Sequence, residues 1–326
     1  MISSLGSHAL TALTPQTAVK VDPSRCVRHR CNRNECSRCI DACRAGSIAW
    51  NEQGLFVDSG RCTQCMSCLA VCSTAALRSP ELSLLQMMSD LAAHPEPVLG
   101  CAQNSGAKKH AHFSCLGYLG NFELMLLFSL VFSEGIQLDL SHCIDCPNGH
   151  VTADIFSAHA FIKNIRPESR LQLVENEKSL NYHPASLSRR EFFRFFRERS
   201  SRTAAVMVKR LQVNAKEHAY GSKQVPLTRI LLLKAMEALP LATQRQIAEQ
   251  LFGNMTFTPE CKACGRCLAV CPTGALDSVE TENHPPAFNA QLCVGCGSCA
   301  AFCRNQGVRF SEAKQSEKQD ISCHAR

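Results

Sequence analysis

Residues 261–271 read CKACGRCLAVC, a run in which four cysteines follow the spacing C-x2-C-x2-C-x3-C. Residues 62–72, CTQCMSCLAVC, and residues 293–303, CVGCGSCAAFC, repeat this spacing. A fourth copy ends in Cys36, Cys39 and Cys43, and its first cysteine stands farther upstream than usual. The copies form two pairs, one near each end of the 326-residue chain. A repeat of this kind predicts two units built on the same plan.

The close spacing of these cysteines favours a metal group over disulfides. The chain has 22 cysteines, but neighbours within a C-x2-C run cannot easily pair with each other. Three thiolates spaced C-x2-C-x2-C can wrap one loop around three irons of a four-iron cube. Zinc sites use two C-x2-C pairs separated by a longer loop, so zinc is the weaker interpretation. The runs therefore predict 4Fe–4S clusters, which transfer single electrons.

The residues after the runs resemble those of bacterial two-cluster ferredoxins. CPTGAL at 271–276 is close to the family pattern, whereas CSTAAL at 72–77 and CRAGSI at 43–48 are weaker versions without the proline. The resemblance implies an α+β fold with two ferredoxin-like two-cluster modules. It also implies that the fourth cysteine of each run ligates the other cluster of its module.

This exchange of fourth ligands assigns four cysteines to each of four 4Fe–4S clusters. The sets are Cys261, Cys264, Cys267 and Cys303; Cys293, Cys296, Cys299 and Cys271; Cys62, Cys65, Cys68 and Cys43; and Cys36, Cys39, Cys72 and Cys26. In the last set Cys31 is the alternative to Cys26, because Arg33 occupies the position where the common spacing would place a cysteine. Cys26 is preferred, since VDPSRC before it parallels FVDSGRC before Cys62.

A second kind of site is predicted in the middle of the chain, at Cys101, Cys115, Cys143 and Cys146. Apolar stretches precede these cysteines, and a helix-like run, NFELMLLFSLVFSEG, lies between the second and the third. The order β, β, α, β would place the cysteines at strand ends along one edge of a small α/β unit, where ligands from separate strands converge.

The pattern distantly resembles the small 2Fe–2S subunits that accompany heterodisulfide reductases and hydrogenases, and it implies a further cluster, 2Fe–2S. A zinc site, a redox-active disulfide and buried unligated cysteines stay open as alternatives. His142 and His150 flank Cys143 and Cys146, and a structural role is favoured over ligation for both rings.

The chain divides into six segments by these patterns. They are a mobile leader at 1–20, a two-cluster module at 21–80, the α/β unit at 95–165, a charged and helical connector at 166–256, a second two-cluster module at 257–310 and a disordered tail at 311–326. In the connector, helices are expected from Pro226 and from a Thr243 cap to Gly253. SRREFF at 188–193 looks like a twin-arginine signal, but its mid-chain place favours an amphipathic helix.

The bulk properties set limits on compartment and partners. The formal charge is +7, and four oxidised cluster sites of about −2 each would bring the loaded protein close to neutral. No apolar stretch approaches the ~18 residues of a membrane span, and the N-terminus is a poor signal peptide. The expectation is a cytoplasmic protein without a direct membrane span. The basic run near residue 200 lacks a nucleic-acid-binding motif.

The predicted function is electron transfer within a larger oxidoreductase complex of anaerobic metabolism. The sequence has no Rossmann glycine motif and no evident nucleophile and base, so the chain is expected to relay electrons between protein redox partners rather than to be an enzyme by itself. Two alternatives are a redox enzyme with an active metal site in the middle unit and a maturation factor for a metalloenzyme.

Overall fold

The computed structural model describes residues 19–79, 82–104, 106, 108–183, 223–279 and 283–311. The SRREFF motif, nearly all of the predicted leader and the predicted tail beyond Ser311 lie outside the described residues. The described part mixes helices and strands, consistent with the predicted α+β class. None of its helices combines the length and the apolar character needed to cross a membrane.

The N-terminal unit, residues 19–79, is built from two short antiparallel strand pairs and three short helices. Its elements are β1 (Lys20–Val21), α1 (Val27–Arg30), α2 (Arg38–Asp41), β2 (Ile48–Asn51), β3 (Gly54–Val57), α3 (Ser67–Val71) and β4 (Leu77–Arg78). Strand β1 pairs with β4 and so brings the two ends of the unit together, and β2 pairs with β3. The unit begins within the predicted leader, because Lys20 already pairs with Arg78.

The middle unit, residues 82–183, contains a four-stranded parallel sheet in the order β6-β5-β7-β8. Its elements are α4 (Leu84–Ala92), β5 (Val98–Cys101), β6 (Ala111–Phe113), α5 (Phe122–Val131), β7 (Ile136–Asp139), α6 (Val151–Ile165) and β8 (Leu171–Val174). The predicted order β, β, α, β is present in β5, β6, α5 and β7. The sheet also includes β8, beyond residue 165, where the predicted unit ends.

Helix α5 is the most completely buried helix of the middle unit. Its sequence, FELMLLFSLV, is apolar on nearly all sides, and all of its residues except Glu123 are buried. A helix of this kind needs partners all round. It packs against α6 and against the next helix in the chain, α7 (Leu227–Met236).

The helices predicted as a connector belong to the main hydrophobic core. Leu231 and Leu232 of α7 and Ile247 of α8 (Leu241–Leu251) are fully buried in the same apolar cluster as the middle unit. Helix α7 begins directly after Pro226, as predicted. Helix α8 begins after Pro240 rather than at Thr243, because the fixed φ of a proline suits the start of a helix; it ends at Leu251.

The C-terminal unit, residues 254–311, has the same strand plan as the N-terminal unit. Its elements are β9 (Asn254–Phe257), α9 (Arg266–Val270), β10 (Leu276–Asp277), β11 (Ala287–Phe288), α10 (Ser298–Phe302) and β12 (Val308–Ser311). Strand β9 pairs with β12, and β10 pairs with β11. The unit starts at Asn254, inside the predicted connector, because β9 is needed to pair with β12. It has a small apolar cluster of its own.

Candidate metal centres

In each complete cysteine run, the residues directly before and after the second cysteine have a left-handed backbone conformation. They are Gln64 and Met66, Ala263 and Gly265, and Gly295 and Gly297, with φ between 47° and 69°. Residues other than glycine rarely adopt this backbone conformation, so it costs about 1–3 kcal/mol at Gln64, Met66 and Ala263, whereas the three glycines adopt it freely. The two turns curl the loop tightly around the middle cysteine. The shared backbone geometry indicates that the three runs are shaped for the same purpose.

A further left-handed residue stands three positions after the fourth cysteine of all four copies. These residues are Gly46, Ala75, Gly274 and Gln306, with φ between 51° and 74°. In three copies the N–H of the following residue donates to the cysteine sulfur, from Ser47 to Cys43 at 3.3 Å, from Ala76 to Cys72 at 3.2 Å and from Gly307 to Cys303 at 3.3 Å. Such hydrogen bonds stabilise thiolate charge and tune the potential of a cluster.

The first cysteine group of the C-terminal unit, called the Cys261 group, consists of Cys261, Cys264, Cys267 and Cys303. These four residues line a cavity of about 200 Å³. The pKa of the Cys267 thiol is raised by burial and then by the three other thiols of the group. Cys264 is exposed, and the exposed side chains of Lys262, Arg266 and Arg304 also line this cavity. The group therefore lies at the surface within a basic rim.

The second group of this unit, the Cys293 group, consists of Cys271, Cys293, Cys296 and Cys299, which line a second cavity. Burial raises the pKa of Cys299 to about 12, and the thiols of Cys296, Cys293 and Cys271 contribute. The structure thus brings Cys271 of the first run to the cysteines of the second run, and Cys303 to those of the first.

The same exchange is present in the N-terminal unit. The Cys62 group consists of Cys43, Cys62, Cys65 and Cys68, which line a cavity. Burial raises the pKa of Cys68, and the neighbouring thiols Cys65, Cys62, Cys39 and Cys43 raise it further. Since Cys39 belongs to the other group of the unit, the two groups are adjacent.

The remaining group, the Cys26 group, brings Cys26 together with Cys36, Cys39 and Cys72. The pKa of Cys39 is raised to about 12 by burial and then by the thiols of Cys72, Cys36 and Cys26. Cys31 instead ends helix α1, where its N–H donates to the Val27 carbonyl and its side chain is 2% exposed.

The Cys101 group lies at the carboxyl edge of the parallel sheet. Cys101 ends β5, Cys115 follows β6, and Cys143 and Cys146 follow β7. A hydrogen bond from Cys115 lowers the pKa of Cys101 to about 6, and the same contact raises the pKa of Cys115. Burial, with the thiols of Cys101 and Cys146, raises the pKa of Cys143 to about 11. The structure therefore brings the four predicted cysteines together.

The two histidines beside this group contact charged side chains. His142 Nε2 lies 4.0 Å from a Glu177 carboxylate oxygen, and its ring is half exposed. The pKa of His150 is lowered by burial and by Arg44, and Asp154 acts in the opposite direction. The Nε2 atom of His150 is buried without a hydrogen-bond partner, and the structural role of both rings stays a prediction.

The donor set of each group fits an iron–sulfur cluster. Thiolates are soft ligands that select zinc, copper(I) and iron–sulfur clusters, and a four-iron cube needs four of them around a core wider than one ion. Within the described residues, no group of three or more His, Cys, Asp or Glu side chains closes around a single metal ion.

Comparison with known proteins identifies the C-terminal unit. Residues 260–306 match the family described as the 4Fe-4S dicluster domain, and this range contains the Cys261 and Cys293 groups. The chain is also similar to an uncharacterized ferredoxin of Methanocaldococcus jannaschii, with 32% identity over 62 residues, which are 19% of this chain and 80% of the relative.

Proposed function

Because the chain belongs to the ferredoxin family, we propose that it is a multi-cluster electron carrier that holds four 4Fe–4S clusters in two modules. Iron–sulfur electron transfer is the activity that the matched domain supports. The observation that extends this activity to the N-terminal unit is the shared backbone geometry. In all four copies a left-handed residue stands three positions after the fourth cysteine. The N-terminal unit also has the same strand plan.

The Cys261, Cys293, Cys62 and Cys26 groups would each hold one 4Fe–4S cluster, which supplies a single-electron redox centre. The protein's own residues bind and tune it. The backbone N–H groups of Ser47, Ala76 and Gly307 donate to sulfurs and stabilise negative charge there. Hydrogen bonds of this kind, with solvent exposure, set the potential. The exposed Cys264 and the more buried thiols of the Cys293 group are therefore expected to differ in potential.

The Cys101 group is proposed as a fifth centre, 2Fe–2S. Four thiols from three strand ends meet at one edge of the sheet, and they adjoin the N-terminal unit. The thiol of Cys65 is among the neighbours that raise the pKa of Cys115. A centre at this place would extend the relay into the middle unit.

The partners are proposed to be other proteins of a larger oxidoreductase complex in the cytoplasm, where thiols stay reduced. The basic rim of the Cys261 group, formed by Lys262, Arg266 and Arg304, suits an acidic redox partner, because complementary charge speeds association. Anaerobic affinity purification of the full chain should recover such a partner in a stoichiometric complex.

A second candidate function is a redox enzyme with its active site in the middle unit. The observation that favours it is a cavity of about 380 Å³ beside Cys143, lined also by Ile144 and Phe156. Ile144 is 89% exposed, so an apolar molecule could reach this place. Steady turnover of a small substrate by the purified chain, lost on Cys143→Ser, would favour this candidate over the carrier.

The decisive experiment for the carrier is metal analysis of protein purified without oxygen. We expect about 16 iron and about 16 sulfide per chain from four cubes, and about two more of each if the Cys101 group holds 2Fe–2S. Reduction should give the electron paramagnetic resonance signals of reduced clusters. Protein that contains mostly zinc would contradict the proposal.

A further inference from the structure

The side chain of Asn34 joins the N-terminal and C-terminal units. Its Nδ2 donates to the Cys296 carbonyl at 2.9 Å and to the Ser298 hydroxyl at 3.0 Å, and its Oδ1 accepts from the Cys36 N–H at 3.0 Å. Asn34 is 8% exposed and Ser298 is fully buried. One amide therefore links Cys36 of the Cys26 group to Cys296 of the Cys293 group.

Both ends of this link are held in place locally. The Asn34 N–H donates to the Cys31 carbonyl at 2.8 Å, so the end of helix α1 fixes the loop that presents the side chain. On the other side, Ser298 begins helix α10 and forms a hydrogen bond with the Cys296 thiol. The link thus runs between two loops that are held by local hydrogen bonds and that each carry cysteines of a proposed cluster.

A second contact supports the same interface from a different segment. Lys223 Nζ donates to the Cys271 carbonyl at 2.7 Å, and the Gln224 N–H donates to the Pro272 carbonyl at 2.7 Å. On the opposite side, Arg25 donates to the Val225 carbonyl at 3.4 Å. Residues 223–225 therefore lie between the two units, beside Cys26 on one side and Cys271 on the other.

The middle unit meets the N-terminal unit at a different group. Asn148 Nδ2 donates to the Thr63 carbonyl at 2.9 Å, and Gly117 lies against the Cys65 carbonyl. Both contacts are at the Cys62 group. The N-terminal unit therefore faces the C-terminal unit with its Cys26 group and the middle unit with its Cys62 group.

We propose that Asn34 is a positioning residue that couples the two end units at the Cys26 and Cys293 groups, so that electrons cross between these units directly rather than by way of the middle unit. The electron crossing rests on the proposed function, whereas the docking of the two end units rests on the contacts alone. In such a crossing, one electron would leave the redox centre at one cysteine group and enter the redox centre at the other. Asn34 itself takes up no charge, because its amide does not ionise.

Two substitutions separate the parts of the Asn34 contact. Asn34→Asp keeps an oxygen that can accept from the Cys36 N–H but removes both donors, because an ionised carboxylate only accepts. Asn34→Leu keeps the approximate volume and removes every side-chain hydrogen bond. The matched control is Asn148→Asp, which removes a buried amide donor at the same 2.9 Å from a carbonyl of another unit.

The first readout is hydrogen exchange of the full chain, which does not depend on electron transfer. In both Asn34 variants we expect the peptide that contains Cys296 and Ser298 to exchange faster by roughly tenfold or more, because each variant loses the two hydrogen bonds from Nδ2 and the loss of one buried hydrogen bond alone gives an effect of about tenfold. In Asn148→Asp the exchange of that peptide should not change. If the Leu variant does not accumulate, the Asp variant decides the matter.

The second readout is the magnetic interaction between reduced centres of the two end units. We expect it in the unmodified protein and expect it to weaken in the Asn34 variants at unchanged iron and sulfide content. Unchanged exchange and unchanged magnetic interaction in both variants would overturn the role of Asn34. Absence of iron–sulfur signals in the unmodified protein, with faster exchange in the variants, would overturn the proposed function and retain the docking role.

Discussion

Arg229 and Glu123, 106 residues apart in the chain, form a two-pronged ion pair in which Nε and Nη2 donate to the carboxylate at 2.8 and 2.6 Å. The Arg229 side chain is 3% exposed. Its Nη1 also donates to the carbonyls of Gln291 and Cys293 at 2.7 and 2.8 Å. One guanidinium therefore ties α7 to α5 and both helices to the loop of the Cys293 group.

Arg229→Met should strongly destabilise the protein. The substitution leaves the Glu123 carboxylate and two carbonyls without their donor, and breaking a buried pair in this way costs about 3–5 kcal/mol. The control is Arg170→Met, because the Arg170–Glu134 pair is 3.9 Å long and largely exposed and should contribute less than about 1 kcal/mol. Urea unfolding of anaerobic protein measures both. Equal losses in the two variants would contradict the role assigned to Arg229.

Cys26→Ser should remove one cluster from the N-terminal unit, whereas Cys31→Ser should leave the cluster count unchanged. The reason is that Cys26 is grouped with Cys36, Cys39 and Cys72, whereas Cys31 ends helix α1. Iron and sulfide analysis of the two anaerobic variants measures this, with a loss of about four iron expected for Cys26→Ser. Loss of iron only in the Cys31 variant would reverse the assignment.

Gly117→Ala should disturb the contact between the middle and N-terminal units. A Cβ at this position would lie 2.1 Å from the Cys65 carbonyl oxygen and 2.9 Å from a Val151 methyl carbon, and overpacking of this kind costs about 1–3 kcal/mol. Gly60→Ala is the control, since its Cβ would come no closer than 3.4 Å to the Asp58 side chain. Thermal unfolding of the two variants gives the comparison; equal stability of the Gly117→Ala and Gly60→Ala proteins would refute the close approach.

The stability of the protein should fall on acidification through a stacked histidine pair. The rings of His94 and His110 have centroids 3.7 Å apart, and burial lowers the pKa of both from 6.5. His94 is further affected by His110 and Asp90, and His110 by His183. The unfolded chain therefore binds more protons below pH 6.5. The contribution of the uncharged histidine pair to stability is complete above pH 6.5. It is lost as the pH falls towards the lowered pKa values of the two rings.

His110→Asn tests this dependence, because the asparagine oxygen can accept from the Val98 N–H in place of Nδ1 but does not titrate. Between about pH 7.5 and about pH 5.5 the unmodified protein should lose more stability than the variant. The control is His112→Asn. His112 lies two residues farther along the chain, in strand β6, and it is exposed. Parallel loss of stability in the unmodified protein and in His110→Asn would exclude the histidine pair as the cause.

The spacing of the cysteines predicts much of the candidate sites, because ligand spacing is a local property. The sets that unite Cys303 with Cys261 and Cys271 with Cys293 follow from one known exchange pattern, and the structure places these thiols together. The meeting of Cys101, Cys115 and Cys143 follows from the rule that parallel strands present their carboxyl ends at one edge. Their metal content stays a prediction.

The contacts between units could not be predicted, because each depends on residues far apart in the chain. Asn34 and Cys296 have no shared pattern, and Arg229 in an apolar helical run gives no sign of its carboxylate partner. The helices from Pro226 onward were identified, but their amphipathic pattern does not show that α7 packs against α5. The signal that would have suggested Asn34 is its place two residues before Cys36, a predicted cluster ligand, where the amide oxygen can accept from the Cys36 N–H.

The pairing of first and last strands in each end unit has a consequence for how the chain tolerates change in length. Lys20 lies opposite Arg78, and Asn254 lies opposite Ser311, so the chain enters and leaves each unit at the same place. Segments added or removed outside these strands need not pull on the cysteines inside them, as is usual where the ends of a unit lie close together. The chain can therefore vary in length on either side of an end unit, provided that the contacts of Asn34 and Arg229 with the neighbouring units are kept.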